Sequence, residues 1–410
     1  MFPGSILPGS MPPRSKIPGR IPPAGTGARP ARAVVRLPLG LGLGLVLCTV
    51  LGCSPSPPPP HDGPIVLITV DTLRADVVGA LGGPQGLTPN LDALAAESDW
   101  AERAVSSSSW TVPSMASLFT GLQPWRHGAW HGERHALGEE LRTLPEALKE
   151  AGYATLGFRS NRWLTAKTGY AQGFDEFFDL GQRKRAMARL AALDGSRQFV
   201  WAHVLPPHAP YGKRQVQLEA VMDSTADGRP YELAEPDTLP EKVRPLDMEP
   251  WFDPGVPLDD ESLRRFWTLY LVNVAWADKI VGDLLDALRE SGHWDDALVI
   301  VTSDHGEEFG ENGQITHGGS LHRVLIEVPL LIKLPAASER SFDPRPGVAN
   351  TRIFATLAET VGVESTPEAL PSLFSEEDPG ALSELYLRNG DNQFSLVAGD
   401  RQVVRTVPFA

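Results

Sequence analysis

The 410-residue sequence has only two cysteines, Cys48 and Cys53, and none follows them. The chain after Cys53 can therefore form neither a disulfide nor a cysteine-based catalytic or metal site. Basic residues are also scarce there. Six of the 37 lysines and arginines precede Cys53 and no acidic residue does, so 31 basic residues face 51 acidic ones from Ser54 onward. This balance of 31 − 51 = −20 argues against a nucleic-acid-binding surface.

The N-terminal apolar segment is too short for a typical membrane span. Leu37–Gly52 has 16 residues, whereas a spanning helix needs about 20. It follows six basic residues and ends in Val-Leu-Gly-Cys53, which predicts a signal peptide over residues 1–53. That ending resembles a bacterial lipobox, so we expect lipidation of Cys53 and a periplasm-facing, membrane-anchored lipoprotein. A plain secretory signal and a single-pass helix are the alternatives. The proline-rich residues 54–62 are a stiff linker.

Short runs of aliphatic residues alternate with helical patterns after the linker. The pattern predicts an α/β fold, a mostly parallel central sheet sandwiched by helices, over residues 63–363. Residues 214–260 are acidic and proline-rich and are interpreted as an insertion, and residues 364–410 as a short C-terminal subdomain. The predicted strands are Ile65–Val70, Ala154–Phe158, Phe199–Val204, Leu298–Thr302 and Pro329–Leu334. The predicted helices are Thr143–Ala151, Ser262–Ser291 and Thr351–Val361.

Polar residues follow two of the apolar strands directly. Asp71 comes after IVLITV, and Asp304-His305 comes after LVIVTS. Ligands of open α/β sheets sit at the carboxyl ends of the strands, so these residues are candidates for a site. Pro113 predicts the first turn of a helix ending near Gly121, which places Thr111 at a helix N-terminus that favours anions. Capping of that helix is the alternative role for Thr111.

The sequence from about residue 65 to 363 resembles the sulfatase family of the alkaline phosphatase superfamily. The matching strings, in order, are IVLITVDTLRAD, LTPNLDALAAES, WTVPSMASLFTG, GYATLGF, GYAQGFDEFFDL, FVWAHVLPPHAPY and VIVTSDHGEEFGENGQITHGGSLHRVLIEVPLLI. The resemblance implies a sheet with a metal at its carboxyl edge, a nucleophile on that metal that cleaves an ester, and a short C-terminal subdomain.

The resemblance also assigns roles to individual residues. Asp71, Thr111, Asp304 and His305 fall on metal-ligand positions, with Thr111 also the nucleophile. His208 falls on a position that contacts the ester oxygens. His317 matches a histidine that in related phosphoryl transferases faces the leaving group or a second metal. His203 lies inside a predicted strand, where a buried structural role is the alternative.

Several positions depart from the family pattern. Thr111 replaces the Cys or Ser that is oxidised to formylglycine, a modification that threonine cannot undergo. Met115 replaces an arginine, and Thr72 replaces an acidic residue. The family's Gly-Lys is absent near Arg159-Ser160-Asn161, so Asn161 or Arg159 is the candidate substitute for binding the ester oxygens.

The remaining ligand set resembles the single-metal sites of phosphoethanolamine and phosphoglycerol transferases that use threonine. One imidazole with few carboxylates favours zinc or manganese, with calcium or magnesium as alternatives. The sequence thus predicts a metal-dependent hydrolase of sulfate or phosphate esters, with phosphorus favoured by Thr111. The alternatives are a phosphoryl-group transferase acting on envelope lipids or glycans, and a catalytically silent, lipid-anchored binding module.

Other residues have open interpretations. Arg74 and Asp76 either orient the first metal ligand or pair with each other. The glutamates at 307, 308 and 311 are expected in a solvated loop. Four tryptophans are either a sugar-binding surface or part of the core and rim: Trp125, Trp130, Trp163 and Trp201.

Overall fold

A computed structural model describes residues 58–101, 103–179, 181, 183–225, 229–248, 259–342, 346–387 and 391–408. The predicted signal peptide, Cys53 and residues 54–57 of the linker lie outside these ranges. Among the helices of the described residues, none combines the length and apolarity that a membrane crossing requires.

The strands are β1 (Ile65–Val70), β2 (Asp99–Trp100), β3 (Arg103–Val105), β4 (Ala154–Arg159), β5 (Glu176–Asp179), β6 (Gln198–Val204), β7 (Tyr211–Gly212), β8 (Lys242–Val243), β9 (Leu298–Ser303), β10 (Glu308–Phe309), β11 (Ile315–Thr316), β12 (Glu327–Val328), β13 (Leu330–Lys333), β14 (Pro346–Ala349), β15 (Ala381–Leu385), β16 (Asp391–Ala398) and β17 (Arg401–Pro408). The α-helices are α1 (Pro89–Ala96), α2 (Thr111–Thr120), α3 (Pro124–His127), α4 (Leu144–Glu150), α5 (Arg183–Ala191), α6 (Gln215–Asp223), α7 (Pro245–Met248), α8 (Asp260–Glu290), α9 (Arg323–Ile326) and α10 (Ile353–Val361).

A seven-stranded sheet in the order β2-β13-β9-β1-β6-β4-β5 forms the centre of the fold. Strand β1 pairs in parallel with both β6 and β9, and β4 pairs in parallel with β5 and β6. The predicted, mostly parallel sheet is therefore confirmed. One strand departs from the expectation of a parallel sheet, because β13 runs antiparallel to β9 and to β2.

Side chains that alternate along β1 enter two separate cores. Val66, Ile68 and Val70 pack with residues of α1, α5, α6 and α8, whereas Ile65 and Leu67 pack with residues of α2, α4 and α10. Successive residues of a strand point to opposite faces, so a strand covered on both faces is apolar throughout. That burial explains the unbroken IVLITV run and keeps the end of β1 fixed beneath the site.

Two further segments close the edge of this fold. In the predicted insertion, α6 buries Leu218 and Val221, and β8 pairs with β7, which lies just before the insertion. After α10, strands β15, β16 and β17 form a small antiparallel sheet. That sheet shares an apolar cluster with β3 and α9, including Val105, Leu325 and Val397. It therefore packs on the strand that leads into α2.

Candidate active site

Four side chains from three elements meet at the carboxyl edge of the sheet. Asp71 follows β1, Asp304 and His305 follow β9, and Thr111 is the first residue of α2. The Nε2 atom of His305 lies 3.3 Å from Thr111 Oγ1, 3.7 Å from an Asp71 oxygen and 3.6 Å from an Asp304 oxygen. All four predicted ligands are thus brought together, although they are separated by up to 234 positions in the sequence (305 − 71).

Each of the two carboxylates has one oxygen near His305 Nε2 that lacks a hydrogen-bond partner. Asp71 Oδ1 and Asp304 Oδ2 are buried and have no hydrogen-bond partner. Although burial favours the neutral acid, His208 and His203 hold the pKa of Asp71 well below its usual value. Burial and the charge of Asp71 raise the pKa of Asp304. Two partnerless carboxylate oxygens in a buried site are the feature that a divalent cation would compensate, so these residues fit a metal ion.

His305 is oriented to serve as a ligand. Its Nδ1 lies 2.8 Å from the carbonyl oxygen of Gly306 and donates to it, which leaves the Nε2 lone pair facing the carboxylates. Burial and the nearby His317 lower the pKa of His305 well below its usual value, so the imidazole is neutral. Gly306 is required here because a Cβ on it would collide with the carbonyl oxygen of Val324.

His203 is a residue whose role the sequence left open. It is fully buried and also lies close enough to Asp71 and Asp304 to share a metal ion with them. However, both of its nitrogens are already engaged, Nδ1 with Thr69 Oγ1 at 2.8 Å and Nε2 with Asp71 Oδ2 at 3.2 Å. His305 stays the predicted imidazole ligand, because its Nε2 lies near both carboxylates and Thr111 Oγ1, whereas His203 contacts Asp71. A polar residue inside the otherwise apolar β6 was the available signal.

Asn161 connects a candidate ligand to the candidate nucleophile. Its Nδ2 donates to Asp71 Oδ2 at 2.7 Å and to Thr111 Oγ1 at 3.2 Å. The backbone N–H of Trp163 donates to Asn161 Oδ1, which fixes the orientation of the amide. Asn161 therefore replaces a cation with a neutral hydrogen-bond donor at this side of the site.

Of the residues that depart from the family pattern, Met115 and Thr72 have structural roles, whereas Thr111 does not. Thr111 does not cap α2, since Trp110 occupies the N-cap position. Met115 is buried in the apolar core beneath α2. Thr72 has a positive φ of 59° and donates its backbone N–H to Asp304 Oδ1. Its own hydroxyl has no partner, so Thr72 contributes its backbone to the site.

Two more histidines form the opposite wall. The ring of His317 lies 4.5 Å from that of His305 and 5.1 Å from that of His208, measured between centroids. Glu307 Oε1 contacts His317 Nδ1 at 2.8 Å, and the Tyr211 hydroxyl donates to Glu307 Oε2 at 2.9 Å. Although burial favours neutral imidazole, Glu307 raises the pKa of His317. His317 also lines the cavity described below.

The expectation of a solvated glutamate loop is wrong. Glu307 and Glu308 are buried, and Glu311 forms an ion pair with the buried Arg74. Arg74 also pairs with Asp76 and donates to the carbonyl oxygen of Glu307. The pair with Asp76 was one of the two predicted alternatives, whereas Glu311 and the Glu307 carbonyl were not predicted, because they lie in a loop that meets Arg74 only in the folded sheet. Arg74 therefore joins two loops of the site and does not contact Asp71 through any hydrogen bond found in the described residues.

A cavity of about 590 Å³ opens from this wall, and it is lined by Asn161, His208 and His317 among others. Arg159 is not among the lining residues. Its guanidinium donates to the carbonyl oxygen of Asn161 and pairs with Asp179, so the structure does not support the predicted contact of Arg159 with substrate. Of the four tryptophans, Trp163 lines the cavity, whereas Trp201 is buried among Phe119 and other rings.

The sulfatase family model matches residues 64–191 and 183–363. The chain belongs to the sulfatase family. Human N-sulphoglucosamine sulphohydrolase is 31% identical over 247 residues, which cover 56% of this chain and 48% of that protein. The uncharacterized sulfatase YidJ of Escherichia coli is 26% identical over 372 residues, which cover 78% of this chain and 72% of that protein. The chain thus spans about half the length of the first relative.

The fold of this family member also agrees with solved structures. The phosphonate monoester hydrolase of Agrobacterium radiobacter superposes with a TM-score of 0.64 at 19% identity, covering 84% of this chain and 87% of that one. The sulfatase membership and the alkaline-phosphatase-like fold are confirmed by these comparisons.

Proposed function

We propose that this sulfatase-family protein is a metal-dependent hydrolase of sulfate or phosphate esters, with Thr111 as nucleophile and phosphorus esters favoured. The observation that carries the proposal is the convergence of Thr111 Oγ1, His305 Nε2 and two partnerless carboxylate oxygens. We also propose that it acts outside the cytoplasmic membrane, anchored through Cys53. That part rests on the N-terminal sequence alone.

Asp71, Asp304, His305 and Thr111 would hold the metal ion, for which zinc or manganese is favoured. A divalent cation held there would lower the pKa of the Thr111 hydroxyl, so that its proton would pass to solvent and leave the oxygen ready to attack. Asn161 keeps the Thr111 oxygen oriented through its 3.2 Å hydrogen bond. The first turn of α2 stabilises negative charge that develops on the ester oxygens.

In the proposed reaction, Thr111 Oγ bonds to phosphorus while the bond from phosphorus to the alcohol oxygen breaks. His317 or His208 gives a proton to the departing alcohol. Water then attacks the phosphothreonine, transfers a proton to that histidine and restores the threonine. Attack by a second alcohol at this step would make the protein a transferase.

The charge of the site favours an ester with one negative charge. Among the residues that line the cavity, Arg162 is the one lysine or arginine, and Glu307 is an acid. A phosphate monoester dianion would meet little positive charge beyond the metal ion. A phosphodiester, a phosphonate monoester or a sulfate monoester carries one charge and fits this site better.

The test is turnover of nitrophenyl sulfate, phosphate, phosphodiester and phosphonate by the zinc- or manganese-loaded protein. Thr111→Ala should lose at least a hundredfold in kcat yet still bind metal. Thr120→Ala, which changes a buried threonine at the other end of the same helix, is the matched control and should retain activity per folded molecule. Metal binding without turnover of any ester would instead support the silent binding module.

A further inference from the structure

The cavity that opens from the site has a wall of two distinct kinds. Its inner part carries the polar groups Asn161, His208 and His317. Its remaining lining includes six apolar residues, namely Trp163, Leu205, Ala209, Pro210, Pro245 and Met248. At about 590 Å³ the cavity has the size of a small-molecule site. The part of a substrate beyond its ester group must therefore meet an apolar surface.

Trp163 is held in a fixed relation to the nucleophile. Its backbone N–H donates to Asn161 Oδ1, and Asn161 Nδ2 donates to Thr111 Oγ1. Gly132 makes room for the ring, since a Cβ there would lie 2.7 Å from an indole carbon. The aromatic surface is thus positioned by the same residue that orients Thr111.

Charges near the cavity disfavour an anionic alcohol portion. Arg162 lines the cavity, but its guanidinium lies 4.7 Å from the centroid of the Trp163 ring and Glu307 lies on the same lining. Among the lining residues, the further sulfate groups of a substrate would meet one guanidinium, that of Arg162, and the carboxylate of Glu307.

We propose that the alcohol portion of the substrate is uncharged and apolar, and that it packs against Trp163 and Leu205, which are both partly exposed. This inference rests on the proposed function, because it concerns the ester cleaved at the same site. It narrows the substrate to an ester of one negative charge joined to an alkyl, aryl or lipid-like alcohol. Sugars that carry several sulfates are excluded.

The test compares three esters that share one acid group. That acid group is the one whose nitrophenyl ester the protein turns over. The three esters are the cyclohexylmethyl ester, the ester of the primary hydroxyl of glucose, and that glucose ester with an added sulfate. The alcohols are all primary and have rings of one size, so polarity is the main difference. We expect kcat/KM to fall at least tenfold from the first to the second, and further for the third.

Leu205→Asn keeps the number and branching of the side-chain heavy atoms but makes this wall polar. It should lower kcat/KM for the cyclohexylmethyl ester about tenfold and change that for the glucose ester little. Leu246→Asn is the matched control, because Leu246 lies in α7 but is exposed. If Leu205→Asn does not fold, the order of kcat/KM for the three esters with the unchanged protein is sufficient to test the inference.

Each outcome is decisive. Equal or better turnover of either glucose ester overturns this inference while leaving the proposed hydrolase intact. No turnover of any nitrophenyl ester contradicts the proposed function, and the inference fails with it.

Discussion

One carboxylate oxygen of Asp304 accepts two backbone hydrogen bonds. The other oxygen has no hydrogen-bond partner. Asp304→Asn keeps the accepting oxygen and removes the buried like-charge contact. Without metal, we expect this variant to be more stable than the unchanged protein by about 1 to 3 kcal/mol.

When metal is added, the unchanged protein should become more stable than Asp304→Asn. A cation at a hundred times its dissociation constant stabilises a site that binds it by about 3 kcal/mol, and Asp304→Asn should lose most of that gain. Urea unfolding with and without zinc measures both effects. An Asp304→Asn variant that is less stable than the unchanged protein without metal would argue against the like-charge contact.

His203 and His208 lie five positions apart but should have different roles (208 − 203). His203 holds Asp71 Oδ2, whereas His208 lines the cavity. We expect His203→Phe to weaken metal binding about 10- to 100-fold, since partners that orient ligands have effects of this size. His208→Phe should change metal affinity less than His203→Phe does, because His208 makes no hydrogen bond to Asp71 among the described residues, and it should lower turnover. Competition with a chromophoric chelator measures the affinities, and equal affinities for both variants would contradict these roles.

At the scale of elements, Arg74 joins the loop after β1 to the loop after β9. It is buried and pairs with Asp76 and Glu311, and it also donates to a backbone carbonyl of the second loop. Replacement by Met leaves Glu311 without this partner, so we expect a loss of about 2 to 4 kcal/mol in the free energy of unfolding.

Arg103→Met is the control for this prediction. Arg103 pairs with Asp400, whose side chain is largely exposed, and exposed ion pairs contribute about 0 to 1 kcal/mol. Denaturant unfolding of both variants is the measurement. Similar losses for the two would show that Arg74 does not join the loops in the way proposed.

Element boundaries were predicted closely where the pattern was strong. The predicted Ser262–Ser291 helix is Asp260–Glu290, and the predicted Leu298–Thr302 strand is Leu298–Ser303. The direction of β13 was not predictable, because apolar residues suit a buried strand of either direction. Helix α6 was missed because its amphipathic pattern is weak and proline-rich sequence follows it.

At the scale of the whole molecule, the C-terminal sheet introduces a buried acid. Glu384 accepts from the backbone N–H of Trp125 and from the Tyr386 hydroxyl. Burial raises the pKa of Glu384 to about 7, whereas glutamate in an unfolded chain titrates near about 4.3. The folded state therefore binds the proton more tightly, and its stability falls as pH rises from about 4 to about 7.

Glu384→Gln should remove the loss of stability that accompanies the rise in pH. Relative to the unchanged protein, the variant should gain up to about 3 kcal/mol between pH 4 and pH 8, with no further gain at higher pH. Glu377→Gln, at an exposed glutamate, should show no such gain. Thermal and urea unfolding across this pH range measure the difference, and a pH-independent difference would contradict a raised pKa at Glu384.

The sequence by itself determined the family, the α/β class and the four candidate ligands. Each of these depends on short strings, such as IVLITVD and TSDHG, in which an apolar strand and the polar residue after it are adjacent in the chain. Because parallel strands end at one edge of a sheet, adjacency in sequence was enough to predict that Asp71 and Asp304 meet.

Only the tertiary structure decided what surrounds those ligands. His203 holds Asp71, Glu307 holds His317, and Arg159 turns away from the site. The apolar wall combines residues from the loops after β4 and β6 with α7 of the insertion. Such contacts join segments far apart in the chain, so their direction and burial depend on how loops pack, which no local pattern records.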